Sequence, residues 1–262
     1  MRKALMILSA VLLLSVSALA GGPGDRLFQV SVLPALLAGD YEGSLSAADL
    51  LSRGDFGLGT FQDLDGEMVV LDGVVWQVPS DGRVRRVAPG LGTPFAAVAF
   101  FESDREVVVA RAENLADLER QVDAALPTRN HFYALRIDGR MTRLSARSVP
   151  RQAKPWRPLA EVVREQTRFT LDGQEGTLVG LRCPAFVSGV NVPGYHWHFL
   201  SADRAKGGHV LDCALENARV RVDELTGLEL RLPTGAGFGA LDISGDHSAA
   251  TKAVEKTPGG KQ

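Results

Sequence analysis

Cysteine occurs only twice in the 262 residues, at Cys183 and Cys213, so no disulfide framework can substitute for a hydrophobic core. An excess of charge of either sign is also missing: 29 Lys and Arg stand against 31 Asp and Glu. Nor is a basic stripe of the kind that tracks nucleic acid apparent in the sequence. The cluster Arg83, Arg85 and Arg86 reads as a solvated face. No internal repeat is present, which excludes solenoids and propellers. Histidine is scarce as well, with five in the chain, yet three of them fall in the stretch GYHWHFLSADRAKGGHVLD, residues 194–212.

The long apolar run is confined to the N-terminus. Arg2 and Lys3 precede ALMILSAVLLLSVS, and Ala18-Leu19-Ala20 supplies a small-x-small cleavage pattern. That arrangement predicts a signal peptide over residues 1–20, cut after Ala20, and an exported mature chain. The run is short for a membrane span, which needs about 20 apolar residues. In an exported protein Cys183 and Cys213 could pair, or remain two small buried hydrophobes. The sequence leaves both readings open.

Asp-Gly pairs recur at Asp65-Gly66, Asp72-Gly73, Asp81-Gly82, Asp138-Gly139 and Asp172-Gly173, each beside apolar or β-branched residues. Such pairs tolerate the positive φ angles of tight hairpin turns, so they predict many strands. Helical patterns are few and short: SLSAADLLSRG behind Ser44 or Ser46, ENLADLERQVDAAL, and PLAEVVREQ. Strand and helix do not alternate regularly. The expected class is α+β, with strand-rich mixed sheets, a few short helices and two closely associated β-rich halves. The proline-rich and basic segment SVPRQAKPWRP suggests a division into residues 21–155 and 156–262. The tail TKAVEKTPGGKQ reads as a polar end. The glycines of GDFGLGTF lack a following helix pattern and read as turn residues rather than a phosphate cradle.

Read as a strand, YHWHF points His196 and His198 to one face and Tyr195, Trp197 and Phe199 to the other. SADRAKGG is a polar loop, and HVLDCALENARVRV resumes strand character. A hairpin would bring His209 beside His198, because opposed Cβ atoms on one face lie about 4.5–5.5 Å apart. Three imidazoles can then share one cation. Zinc fits, with a position left for water or substrate, although copper or iron would also accept imidazole. Cys213 is not a ligand: four strand residues at about 3.3 Å each carry it about 13 Å from His209. His131 and His247 have no such setting and read as surface residues. A cupin-like motif would place a glutamate shortly after HxH, whereas FLSADR offers only Asp203.

Glu67 follows the Asp65-Gly66 turn and leads the apolar run MVVLDGVVW. Partial burial there would raise its pKa and suit acid–base work, while a turn-end glutamate in water is an equal reading. Arg147 and Glu255 are unremarkable by themselves, and Arg147 reads as solvated. The residues alone thus support an exported metal-dependent enzyme or metal-binding protein. An exported zinc hydrolase and a non-catalytic periplasmic metal-binding β-module both fit this description.

Taken together, GDFGLGTFQDLDGEMVVLDG, TPFAAVAFFE, FYALRIDG, RSVP and NVPGYHWHFLSADRAKGGHVLD resemble the α-acetolactate decarboxylase family, in order, over about residues 27–255. By that resemblance His196, His198 and His209 match zinc ligands, Glu67 and Glu255 active-site glutamates, Arg147 a substrate-facing arginine, and Thr60 a pocket position. The resemblance implies decarboxylation of (S)-2-acetolactate to (R)-acetoin through a zinc-stabilised enediolate, and a homodimer. No nucleic acid and no lasting membrane attachment are expected.

Overall fold

The computed structural model describes residues 25–255, so the expected signal peptide and its cleavage site lie outside the described residues. Two large sheets form the body. The first, in spatial order, is β15 (Gly227–Arg231), β1 (Arg26–Val30), β8 (Ala96–Ala99), β3 (Phe56–Thr60), β4 (Glu67–Leu71), β5 (Val74–Val78) and β6 (Arg85–Arg86). The second is β11 (Thr167–Thr170), β10 (Phe132–Ser148), β12 (Gln174–Cys183), β13 (Gly194–Ser201), β14 (Gly207–Leu225) and β9 (Arg105–Ala112). A small pair, β2 (Leu45–Ser46) and β7 (Gly92–Thr93), flanks them. Among the described residues only β1 and β15 run parallel, so the first sheet is mixed. In the second, β10 pairs with both β12 and β14, which closes a ring through β13.

Period-two alternation assigns each strand face to a layer. Leu58, Val69, Leu71 and Ala97 of the first sheet meet Ala134, Val179, Leu181 and Leu200 of the second in a shared core. On the far side of the first sheet, Met68, Val70 and Val98 pack with Ala47 and Leu50 from α2 (Ala47–Leu51). On the far side of the second, Tyr133, Leu135, Trp197 and Phe199 pack with Leu118 and Val122 from α3 (Leu115–Ala125). The order of layers is helix, sheet, sheet, helix. Each fully buried large side chain contributes about 1.5–3 kcal/mol of transfer free energy.

The helices start where capping chemistry permits. Ser46, one of the two expected caps, accepts the Asp49 N–H at 3.1 Å. Asn114 accepts the Asp117 N–H at 2.9 Å and opens α3. α1 (Leu33–Leu37), α4 (Leu159–Val162) and α6 (Ser248–Glu255) gather at one end of the sheets around Leu36, Leu64, Phe95, Val149 and Val254. α5 (Ala236–Gly239) lies on the connection from β15 to α6. No helix of the described residues is long and apolar enough to cross a membrane.

The strand-rich α+β expectation holds, with local corrections. Asp72-Gly73 is a two-residue hairpin turn with φ of 52° and 71°, joining β4 to β5. Asp138-Gly139 is not a turn: β10 runs through it, and a register shift against β14 between Asp138 and Met141 marks a bulge. The two sheets do not divide at residue 155, since β9 and β10 precede it in the second sheet while β15 follows it in the first. The tail is not wholly a polar end, because TKAVE is the last part of α6. Cys183 and Cys213 are both free and buried, in separate core clusters. They are small hydrophobes.

Candidate metal centre

The histidine stretch forms the expected hairpin. β13 and β14 pair antiparallel with His198 directly opposite His209, and His196 stands two residues along on the same face. The strand is anchored by its other face: Trp197 and Phe199 are buried against α3 and β10. Gly180 in β12 lies opposite Trp197, and a Cβ there would overlap the indole ring, so only glycine lets the strands close.

The three imidazoles converge. One ring nitrogen from each lies within 4.8 Å of the others, and His196 Nε2 is 3.0 Å from His209 Nδ1. His198 Nδ1 lies 2.7 Å from the Met68 carbonyl oxygen, an acceptor. That bond places the proton on Nδ1 and leaves the lone pair of Nε2 facing the site. His198 Nε2 and His196 Nδ1 are buried without hydrogen-bond partners. Burial depresses the pKa of all three, His196 to about 3 and the other two well below the usual value. Nearby Arg147 pushes each in the same direction. Neutral imidazoles with stranded lone pairs are a donor set suited to a soft or borderline cation.

Three ionisable groups close around the histidines. Glu67 opens β4, with its Oε2 3.6 Å from His198 Nε2. Desolvation pushes its pKa up to about 7, opposed by Arg147 and reinforced by Glu255. Glu255 ends α6 and places Oε2 3.7 Å from His196 and 3.8 Å from His209. Its pKa is also raised by burial, against the pull of Arg147. Arg147 lies near the end of β10 in register with His209, 4% exposed. The expectation that it is solvated is corrected: the site end of the long strand is covered by the helices.

Thr60 lines the pocket, but its hydroxyl is committed. It donates to the Gly66 carbonyl at 2.7 Å and so holds the turn that leads into Glu67, its cross-strand partner. Apolar walls come from Leu33, Phe95, Val149, Leu159 and Val254, and the pocket holds about 420 Å³ of free space, part of it open to solvent. The remaining histidines stand apart. His131 bonds Glu224 and His247 lies against the Ile243 carbonyl.

Sequence reasoning found the three histidines and Glu67 from pattern, whereas Arg147, Glu255 and Thr60 came only with the family resemblance. It missed Gln166, whose Oε1 accepts a hydrogen bond from Arg147 Nη1 at 3.3 Å. No local pattern marks that residue, since it lies in an irregular junction between α4 and β11. The apolar walls were missed too, because they come from five separate segments.

Comparison with known proteins agrees with this geometry. Residues 27–245 match the family model described as alpha-acetolactate decarboxylase. The alpha-acetolactate decarboxylase of Methanosarcina mazei is 42% identical over 91% of this chain and 83% of its own length. That of Methylococcus capsulatus is 40% identical over 90% of each. The crystal structure of alpha-acetolactate decarboxylase from Bacillus subtilis strain 168 superposes with a TM-score of 0.86 at 37% identity, covering 88% of this chain and 100% of that one. Neither the hydrolase nor the non-catalytic module survives this agreement. With its sheets, its histidine hairpin and nearly its whole described length accounted for in one set of relatives, the chain belongs to the alpha-acetolactate decarboxylase family and is a carboxy-lyase.

Proposed function

We propose that the protein decarboxylates (S)-2-acetolactate to (R)-acetoin and carbon dioxide at the histidine site, with a zinc ion held by His196, His198 and His209. The observation that carries this reading is the convergence of three neutral imidazoles, two buried carboxyl groups and one buried guanidinium on a single pocket. When bound, the ion supplies Lewis-acid stabilisation to charge that gathers on adjacent hydroxyl and ketone oxygens.

The chain's own residues supply the rest. Arg147 binds the substrate carboxylate and, once carbon dioxide leaves, faces the charge remaining on oxygen. Cleavage of the bond from C2 to the carboxylate sends its electron pair into the neighbouring carbonyl, giving an enediolate. A carboxylic acid must then deliver a proton to one face of C2, and a raised pKa keeps such an acid protonated near neutrality. Glu255 is the donor in this reading. Glu67, on the opposite side beside His198, organises the pocket and keeps the hydroxyl oriented. Leu33, Phe95 and Val254 exclude water and seat the two methyl groups.

The protein is proposed to be exported after cleavage behind Ala20 and to work as a homodimer. β15 supports the dimer. It is an edge strand, and its odd-numbered residues direct their backbone groups to β1, as in the bond from Ser31 N–H to the Arg231 carbonyl. Leu228 and Leu230 therefore direct theirs outward, and their side chains are exposed, as is that of Leu232 just beyond the strand. About a two-fold axis at Leu230, Glu229 would meet Arg231 of a second copy and Leu228 would meet Leu232.

The deciding experiment uses the chain from Gly21 onward with 2-acetolactate. Acetoin formation above the spontaneous rate, lost to a chelator and restored by zinc, is expected. Activity undiminished after the metal has been stripped to below one ion per hundred chains would overturn the metal reading.

A further inference from the structure

We infer that Gln166 is a positioning residue that aims the Arg147 guanidinium at the substrate carboxylate without neutralising it. The inference rests on the reading of Arg147 given above. A buried guanidinium carries five N–H donors in a fixed planar fork, and burying them unpaired is costly. Here Nε is buried with no partner, and Gln166 is the one side chain among the described residues that hydrogen-bonds the group. Neither Glu67 nor Glu255 lies within ion-pair distance of it; their close contacts are with the histidines.

The choice of an amide is what matters. A carboxylate at this position would pair with the guanidinium, occupy its fork and reduce its attraction for a second anion. An amide oxygen fixes one Nη1 and leaves the full positive charge available. Gln166 sits in the junction between the helical turn 163–165 and β11, and β11 lies beside Arg147 itself, with Arg168 in register. The same short segment begins at α4, whose Leu159 forms part of the pocket wall. The segment therefore sets wall and anion-binding group together.

The test compares two non-reacting competitive ligands that differ by a carboxylate: 2,3-dihydroxy-2-methylbutanoate and butane-2,3-diol. In Gln166→Glu the dissociation constant of the carboxylate ligand, read directly by calorimetry without turnover, should rise about tenfold or more, the scale of one charge-assisted hydrogen bond. That of the neutral diol should stay within about twofold, which also reports that the pocket is folded. Gln166→Ala should raise the carboxylate constant by a smaller factor. In an Arg147→Ala background the Gln166→Glu effect should disappear, because there is no guanidinium left to quench. Equal weakening of both ligands, no weakening of either, or a Gln166→Glu effect that persists without Arg147 would each overturn the proposal. If Arg147→Ala itself leaves carboxylate binding unchanged, the reading of Arg147 fails instead, and that result is distinguishable from the others.

Discussion

The Nδ1 atom of His198 lies 2.7 Å from the carbonyl oxygen of Met68, the residue that follows Glu67 in β4. One hydrogen bond thus ties the histidine strand of the second sheet to the glutamate strand of the first. It fixes the imidazole tautomer and the spacing between His198 and Glu67 together. Replacing His198 with Gln should abolish stable metal binding, measured as ions retained per chain after dialysis, because the remaining pair of imidazoles loses its third donor. Retention of a full equivalent would place the ion elsewhere.

Glu67→Gln keeps the size and burial of the side chain but removes its ionisation. Turnover should fall by roughly tenfold to a hundredfold, the scale of a lost hydrogen bond from a charged group that orients the substrate hydroxyl. Metal content should be unchanged. Loss of metal in step with activity would make Glu67 a ligand rather than a pocket organiser.

Gly180→Ala tests the support under the site. The new Cβ would overlap the Trp197 ring, and overpacking of this kind costs about 1–3 kcal/mol. Because Trp197 lies between His196 and His198, the strand must shift to relieve the clash. A lowered melting temperature together with weakened metal retention is expected. An unchanged melting temperature would show that β12 and β13 can separate freely.

The contrast between these residues explains what was legible in the sequence. The alternation of YHWHF and the turn before His209 specify local geometry, and local geometry determines that the imidazoles share a face. Glu67 was readable because a turn and an apolar run flank it. Arg147 and Glu255 become special only through tertiary covering: one lies late in a 17-residue strand and the other ends a helix. No local period reports which helices fold over a strand end. The Asp138-Gly139 pair misled for a related reason, since a bulge inside a long strand and a turn between two strands call for the same backbone freedom.

The proposed dimer offers a separate test. Leu230→Lys would place two ammonium groups side by side at the two-fold axis, where like charges directly opposed destabilise strand pairing. The mass measured by light scattering should drop from that of two chains to that of one at micromolar concentration. A dimer that persists at the same concentration would remove β15 from the interface. A wild-type protein that is monomeric would remove the dimer.

Asp223 is buried outside the pocket and accepts the Glu102 N–H at 3.1 Å. Desolvation pushes its pKa up to about 7; Asp104, Asp25 and Glu102 add to the shift, and the Glu102 hydrogen bond opposes it. In the unfolded chain an aspartate titrates near about 3.9. The folded state therefore holds a proton that the unfolded state releases between these values. Its contribution to stability is complete below about 4 and is lost as pH rises through about 7. Asp223→Asn retains an oxygen to accept the Glu102 N–H but carries no charge at any pH. The variant should melt at a higher temperature than the wild type at pH 8, and the difference should shrink steadily as the pH is lowered toward 5. A gap that is the same at both ends of that range would mean that Asp223 does not change its protonation there on unfolding.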